Sequence, residues 1–290
     1  MDTSKKNLWN RNFSLCCQFS LQKGMYADLT VDEVTQLIAE RFFKNGLIEI
    51  PFVEVILTTV CTLKCTECSN LIPKFENISN HVSTDDFKKE IKNLLSSVEY
   101  IHRLKIHGGE PLTHPNLAEI ITFCCNEEKI GEVRMSTNCT ILPNTELINS
   151  MRHEKFLLFI SNYKIPDCYP DKYIEICESN GIRYRFDPNQ EWVSYGEVKS
   201  YSKSFERLAD DRENCSMANC LCLRDFKIYL CSRIANATAL GFIKEDMGIS
   251  ILREDFKDKL VQLYIDDVNR GCEYCGVNVI NRIKAGVQKC

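Results

Sequence analysis

The chain has 290 residues, 44% hydrophobic and 26% charged, and its 36 basic against 40 acidic side chains give a formal net charge of −4. That balance excludes collagen, coiled coil and disorder, and without a basic excess or stripe it argues against an electrostatic nucleic-acid binder. The oddity is 17 cysteines, an odd count in a chain too long for a small disulfide scaffold. The best signal-peptide candidate, Phe13 to Leu21 behind Lys5, Lys6 and Arg11, is broken by Ser14, Gln18 and Ser20 and lacks a small-residue cleavage site. No apolar run approaches the ~18 residues of a membrane span. The expectation is a reduced, cytoplasmic protein with no membrane segment, whose thiols serve metal binding, catalysis or core filling.

Residues 1–50 read as an N-terminal extension with one helix, Val31 to Lys44. From Val53 an alternation begins. Val53–Thr59, Leu104–His107, Val133–Ser136, Phe156–Ser161 and Ile182–Phe186 are predicted strands. Between them, Phe87, Ile91, Leu94, Leu95 and Val98 form one helical face, with Ser83 as its cap. Leu117, Ile120, Ile121 and Cys124 form a second, with Pro115 in the first turn. Glu146–Arg152 and Lys172–Asn180 fit two more helices, the latter stopped by Gly181. Alternating strands and helices predict an α/β fold with a parallel sheet, doubly wound or a partial barrel. Either puts ligands at the carboxyl ends of the strands. After Asp187 the rhythm fails, and a cysteine-rich stretch leads through a helical run, Ile251 to Tyr264, to Gly271–Gly276. The expected division is a core over 51–198 and a smaller unit over 199–290.

Directly after the first strand of the core come Cys61, Cys65 and Cys68, at spacings of four and three. Composition alone would produce about 0.06 such triples in a chain of this length. Three thiolates in one loop can converge on a metal. A closed structural zinc site wants four ligands, and the other tight pair, Cys272 and Cys275, is far off in sequence. The next strand ends in His107, Gly108, Gly109, Glu110 and Pro111; two glycines permit close backbone approach to a ligand, and the glutamate and carbonyls are acceptors for a cation. Ser136, Thr137 and Asn138 end the third strand, and Ser161 and Asn162 the fourth, with short polar side chains suited to ribose or carboxylate. Each could also be a plain polar turn.

With CxxxCxxC in this loop, the sequence resembles the radical S-adenosylmethionine superfamily, and the resemblance spans about Phe52 to Gln288. It implies a partial (β/α)6 TIM-like barrel in which Cys61, Cys65 and Cys68 hold a [4Fe–4S] cluster with one open iron. It implies that Gly108, Gly109, Glu110 and Pro111 bind the methionine ammonium of S-adenosyl-L-methionine, with Ser136, Asn138 and Ser161 also meeting the cofactor. Cys139 stands where the superfamily usually has glycine, and Gly181-Ile182-Arg183 is a thin match to the adenine-side motif. The tail resembles the auxiliary-cluster domain of SPASM and Twitch proteins. Cys215, Cys231, Cys272 and Cys275 would hold a second [4Fe–4S] cluster, with Cys220 and Cys222 competing for the first position. Phe226 stands where a hairpin glycine is expected, so its turn must take another geometry or strain a non-glycine residue. Structural zinc in the same four thiolates is the alternative there.

The chemistry implied is reductive cleavage of S-adenosylmethionine to a 5′-deoxyadenosyl radical that abstracts hydrogen from substrate, with an electron donor such as flavodoxin or ferredoxin. Dehydrogenation would use the auxiliary cluster as electron acceptor. Epimerisation would need a thiol hydrogen donor, for which Cys220 and Cys222 are candidates. A sugar, nucleotide-sugar or aminocyclitol is the expected substrate and a ribosomal peptide the second choice; a zinc-binding interaction module is the non-enzymatic alternative. Cys124 and Cys177 read as core, Cys16, Cys17, Cys125, Cys168 and Cys290 have no partner spacing, and His81, His102, His114 and His153 read as incidental.

Overall fold

The computed structural model describes residues 28–289 other than 216, 218, 219 and 267. The stretch Phe13 to Leu21, Cys16, Cys17 and Cys290 therefore lie outside the described residues. The first helix, α1 (Val31–Asn45), begins with a reciprocal capping box between Thr30 and Glu33 and ends at Gly46 in the left-handed region, φ 64°.

Eleven strands and seven further helices follow among the described residues. The core alternates β1 (Glu49–Ile50), β2 (Val53–Thr58), α2 (Thr84–Ser97), β3 (Tyr100–Gly108), α3 (Leu117–Asn126), β4 (Ile130–Thr137), α4 (Thr145–Met151), β5 (Phe156–Ile160), α5 (Pro170–Asn180) and β6 (Tyr184–Phe186). β2 through β6 are parallel neighbours in chain order. β2 is buried along its whole length, as expected of a parallel strand covered on both faces. Ser83 caps α2, its hydroxyl accepting from the Asp86 N–H at 3.1 Å. Pro115, expected in the first turn of α3, instead precedes the cap residue Asn116. Gly181 stops α5 at φ 66°.

The tail comprises β7 (Glu191–Ser194), α6 (Phe205–Asn214), β8 (Leu221–Arg224), β9 (Lys227–Tyr229), α7 (Ser232–Ala239), β10 (Ile249–Ser250), α8 (Phe256–Ile265) and β11 (Asn278–Lys284). The helix expected from Ile251 starts only at Phe256, because turns occupy the residues between. The tail returns to the core sheet: β8 pairs parallel with β2, so the sheet runs β10-β9-β8-β2-β3-β4-β5-β6. Six parallel strands thus lie side by side, the sixth supplied from the tail on the β2 edge. β7 leaves this sheet and pairs antiparallel with β11. Leu221, Cys222, Ile228 and Ile234 of the tail share one apolar cluster with Val55, Ile106 and Val133 of the core.

Parallel registry brings the carboxyl ends together, with Thr58 opposite Gly108 and Thr137 opposite Ile160. The loops that follow β2, β3, β4 and β5 gather there.

Candidate functional site

That end of the sheet holds a cavity of about 220 Å³. Cys61, Cys65 and Cys68 line it from the loop after β2, Gly108, Gly109 and Glu110 from the loop after β3, and Ser136, Asn138 and Ser161 from the ends of β4 and β5. Pro111, buried, starts the 3-10 turn Pro111–Thr113 behind it, and Asn162 faces away, its amide donating to Pro188 O at 2.9 Å.

The cysteine loop is held by N–H donors. Leu63 N approaches Cys61 Sγ at 3.5 Å, Asn138 Nδ2 approaches the same sulfur at 3.7 Å, and Gln288 Nε2 approaches Cys65 Sγ at 3.3 Å. Gln288 was not foreseen from sequence. It arrives because the chain's last residues run beside the loop, with Thr66 N donating to Val287 O at 2.8 Å and Lys289 N to Lys64 O at 2.8 Å. Burial pushes the Cys61 thiol up to about 12 against the Leu63 N–H, and likewise raises Cys65 and Cys68.

Both glycines press against the loop. Gly109 N donates to Thr58 O at 2.7 Å and Glu110 N to Val60 O at 2.9 Å. A Cβ on Gly109 would lie 2.0 Å from Val60 O, and one on Gly108 2.0 Å from Thr58 O. The Glu110 carboxylate, expected to face a cation, is turned inward as a clip. Oε1 accepts from Leu112 N at 3.2 Å and Thr137 Oγ1 at 3.0 Å, and Oε2 from Asn138 N at 2.7 Å. Burial raises its pKa to about 7 despite those donors. Asn138 in turn ties β4 to the cysteine loop, its Nδ2 donating to Thr62 Oγ1 at 3.0 Å. Cys139 occupies the expected glycine position at φ 64°, fully buried, with its thiol directed at Thr137 O and Ser161 O.

The cavity floor is polar and went unread in the sequence. Glu54 on β2 sits opposite Lys105 on β3, and Lys105 Nζ donates to Glu54 Oε1 at 3.0 Å. His107 Nε2 lies 3.9 Å from the same oxygen and meets the Asn70 side-chain amide at 2.6 Å. Glu54 Oε2 makes no hydrogen bond of good geometry. Burial alone would raise the Glu54 pKa, but His107 and Lys105 outweigh it and bring it down to about 2, while burial lowers His107 to about 4. The available signal was a charged residue at 54 and another at 105 inside runs of β-branched and aliphatic residues.

A second, smaller cavity of about 40 Å³ is lined by Cys215, Cys231, Cys272 and Cys275. Cys220 and Cys222 line neither cavity: Cys222 is fully buried in β8, opposite Glu54, with its thiol directed at Leu223 O. The CxxC turn is clamped by Lys203, whose Nζ donates to Cys272 O at 3.0 Å and to Cys275 O and pairs with Asp211 at 2.5 Å. Among the described residues, no three His, Cys, Asp or Glu side chains gather about one point as a single-ion site would require. The β8–β9 turn carries Asp225 at φ 51° and Phe226 at φ 57°, so the missing glycine is replaced by two strained residues.

The remaining expectations resolve structurally. Cys124 and Cys177 are fully buried core. Arg183 of the expected adenine-side motif turns to the opposite end of the sheet, where its guanidinium meets Glu132 at 3.1 Å. His102 pairs with Glu49 at 2.8 Å, and His114 meets Val82 O at 2.9 Å.

Residues 55–162 match the family model of the Radical SAM superfamily. A probable GTP 3′,8-cyclase of Methanococcus maripaludis is 34% identical over 87 residues, 30% of this chain and 28% of that protein. The GTP 3′,8-cyclase of Alkaliphilus oremlandii is 25% identical over 159 residues, 51% of this chain and 44% of that one. The matched stretches thus span less than half of these curated relatives. Among solved structures, Streptococcus suis SuiB bound to its precursor peptide SuiA superposes with a TM-score of 0.51 at 14% identity, covering 85% of this chain and 74% of SuiB. BtrN in complex with AdoMet and 2-DOIA gives 0.49 at 14%, covering 83% and 97%. The α/β architecture with its parallel sheet is shared with SuiB. No helix among the described residues is long and apolar enough to cross a membrane.

Proposed function

We propose that this chain is a radical SAM enzyme with two iron–sulfur sites that acts on a small, polar, sugar-like substrate. The observation that carries the reading is the convergence of Cys61, Cys65 and Cys68 with Gly108, Gly109, Ser136, Asn138 and Ser161 on one cavity at the carboxyl ends of four parallel strands. In this reading the three thiols hold a [4Fe–4S] cluster, and the Asn138 and Gln288 amides donate to their sulfurs. The donor set fits such a cluster, since thiolates with N–H partners are its ordinary surroundings. A bound cluster with S-adenosylmethionine supplies a 5′-deoxyadenosyl radical capable of taking hydrogen from unactivated carbon.

The chain's own residues do the rest. The Gly108–Gly109 backbone admits the methionine end of S-adenosylmethionine against the cysteine loop. Glu110 fixes the three loops relative to one another. Glu54 and Lys105 present a carboxylate and an ammonium to substrate hydroxyl or amino groups, and the neutral His107 is held by Asn70. That paired, charged floor favours a sugar, nucleotide-sugar or aminocyclitol over a peptide. The four tail thiols hold a second [4Fe–4S] cluster, which makes net dehydrogenation available. Neither Cys222, sealed in the sheet, nor Cys220 lines the cavity, so dehydrogenation is favoured over an epimerisation that would need one of them as hydrogen donor.

Anaerobically reconstituted, dithionite-reduced protein should cleave S-adenosylmethionine to 5′-deoxyadenosine, and Cys65→Ala should abolish this. Retained cleavage in that variant would overturn the reading. Iron near eight per chain supports two four-iron clusters, whereas four with zinc present rejects the second. Turnover of candidate sugars in deuterated buffer separates the outcomes, since deuterium at one carbon marks epimerisation and loss of two hydrogens marks dehydrogenation.

A further inference from the structure

The two cysteine sites share a wall: Ser69 and Met217 border both cavities. Against this wall lies α7, which starts immediately after Cys231. Two side chains one turn apart on α7 grip the segment that follows Cys68. Arg233 donates to Ser69 O at 3.4 Å, and Asn236 Nδ2 donates to Asn70 O at 2.9 Å. The other amino group of Arg233 reaches the second site, donating to Tyr195 O at 3.2 Å and Gly196 O at 2.6 Å. Tyr195 O also accepts from Gly276 N at 2.8 Å and faces Cys275 Sγ at 3.9 Å. Arg233 is 6% exposed, its Nε lacks a hydrogen-bond partner, and among the described residues no carboxylate pairs with it in a salt bridge.

A buried guanidinium without a carboxylate is costly unless something else negative lies nearby. Thiolate-ligated clusters on either side would provide that charge. Building on the two-cluster reading above, we propose that Arg233 is a positioning residue shared by the two cysteine sites, its fork fixing the loop of one against the loop of the other and its single positive charge biasing both clusters toward reduction. Cluster potentials follow local charge and hydrogen bonding. An adjacent cation stabilises the reduced, more negative form, so removing it makes reduction harder at both sites.

The test is an anaerobic redox titration followed by electron paramagnetic resonance on reconstituted full-length chain, without substrate. The wave of the first cluster is assigned by its absence in Cys65→Ala. Arg233→Met should move both midpoint potentials to more negative values, and Arg233→Lys should move them less. Asn236→Ala, which loosens the same segment without touching charge, should leave both unmoved. Should Arg233→Met not retain iron, Arg233→Gln replaces it, keeping a donor for Gly196 O. Unchanged potentials with eight irons bound, a shift at one cluster alone, or an equal shift in Asn236→Ala overturns the role of Arg233. Wild-type protein with four irons and one wave overturns the two-cluster reading itself, a separate result.

Discussion

Gly109→Ala isolates the contact on which the cysteine loop rests. The backbone of Gly109 is not in the left-handed region, so the substitution acts through space alone. The new methyl carbon would lie 2.0 Å from Val60 O, 2.6 Å from Val60 C and 3.1 Å from Cys61 Cβ. A carbon–oxygen contact needs about 3.3 Å, so the two backbones must part by more than an ångström. These neighbours are the backbone of Val60 and the Cβ of Cys61, and neither can swing aside as the end of a long side chain would. Parting them breaks the bonds from Gly109 N to Thr58 O and from Glu110 N to Val60 O. Two backbone hydrogen bonds at about 1 kcal/mol each and an overpacking term of about 1–3 kcal/mol give a loss of about 3–5 kcal/mol. Urea unfolding of the reduced, metal-free chain reads that loss directly. Gly241→Ala is the control, because Gly241 has φ 73° but nothing within 4 Å of the added carbon. It should lose only about 1–2 kcal/mol, the cost of the left-handed conformation. After reconstitution Gly109→Ala should hold about half the wild-type iron, since Val60 and Cys61 are displaced while the tail site is untouched. A loss under about 1 kcal/mol with full iron would refute the reasoning.

Two further predictions concern buried charge. Burial raises Glu90 to about 7, against the N–H of Phe226 that its carboxylate accepts. Its folded pKa thus exceeds that of the unfolded chain, about 4.5, so the native state keeps the proton longer and stability falls as pH rises from about 4.5 to 7. Glu90→Gln removes this carboxylate's share of the decline, leaving that of Glu110, and should be more stable at pH 8 by up to about 3 kcal/mol; equal slopes in stability against pH would sink the argument. Glu132 is 2% exposed and binds Arg103 at 3.1 Å, Arg134 at 2.6 Å and Arg183 at 3.1 Å. Glu132→Ala leaves those guanidinium groups facing one another and should cost about 3–5 kcal/mol in urea unfolding, and a change within 1 kcal/mol would mean that solvent reaches them.

Legibility in the sequence followed the range of the interactions. β2, β4, β5 and the helices packed on them were readable because each is a local period ended by local chemistry, as with Ser83 and Gly181. The cysteine loop and the Gly-Gly turn were readable because their partners lie in consecutive loops of one alternating pattern. Gln288 was not: its contact with Cys65 spans 223 residues and follows no period. Glu54 and Lys105 were hidden by being 51 residues apart, becoming a pair only once β2 and β3 are in register. α7 escaped because Ser232–Ala239 is short and built of small residues, yet it carries the side chains that join the two cysteine loops.

The position of the tail follows from the same sheet physics. A parallel sheet begun at β2 leaves one edge of that strand with unpaired backbone groups, in the middle of the most apolar layer. β8 pairs with that edge over Val53 to Val55 and brings Leu221, Cys222 and Leu223 into the core, all fully buried. Once β8 is there, the tight turn at Asp225 and Phe226 sends β9 back along it, and α7, following Cys231, brings Arg233 and Asn236 to the segment after Cys68. The strain of two left-handed residues, about 1–3 kcal/mol each, is opposed by the Glu90 carboxylate that receives the Phe226 N–H and by Phe226 packing on the core. Covering the β2 edge thus also anchors the segment from which α7 follows, and one side chain of that helix, Arg233, reaches the loops of both cysteine sites.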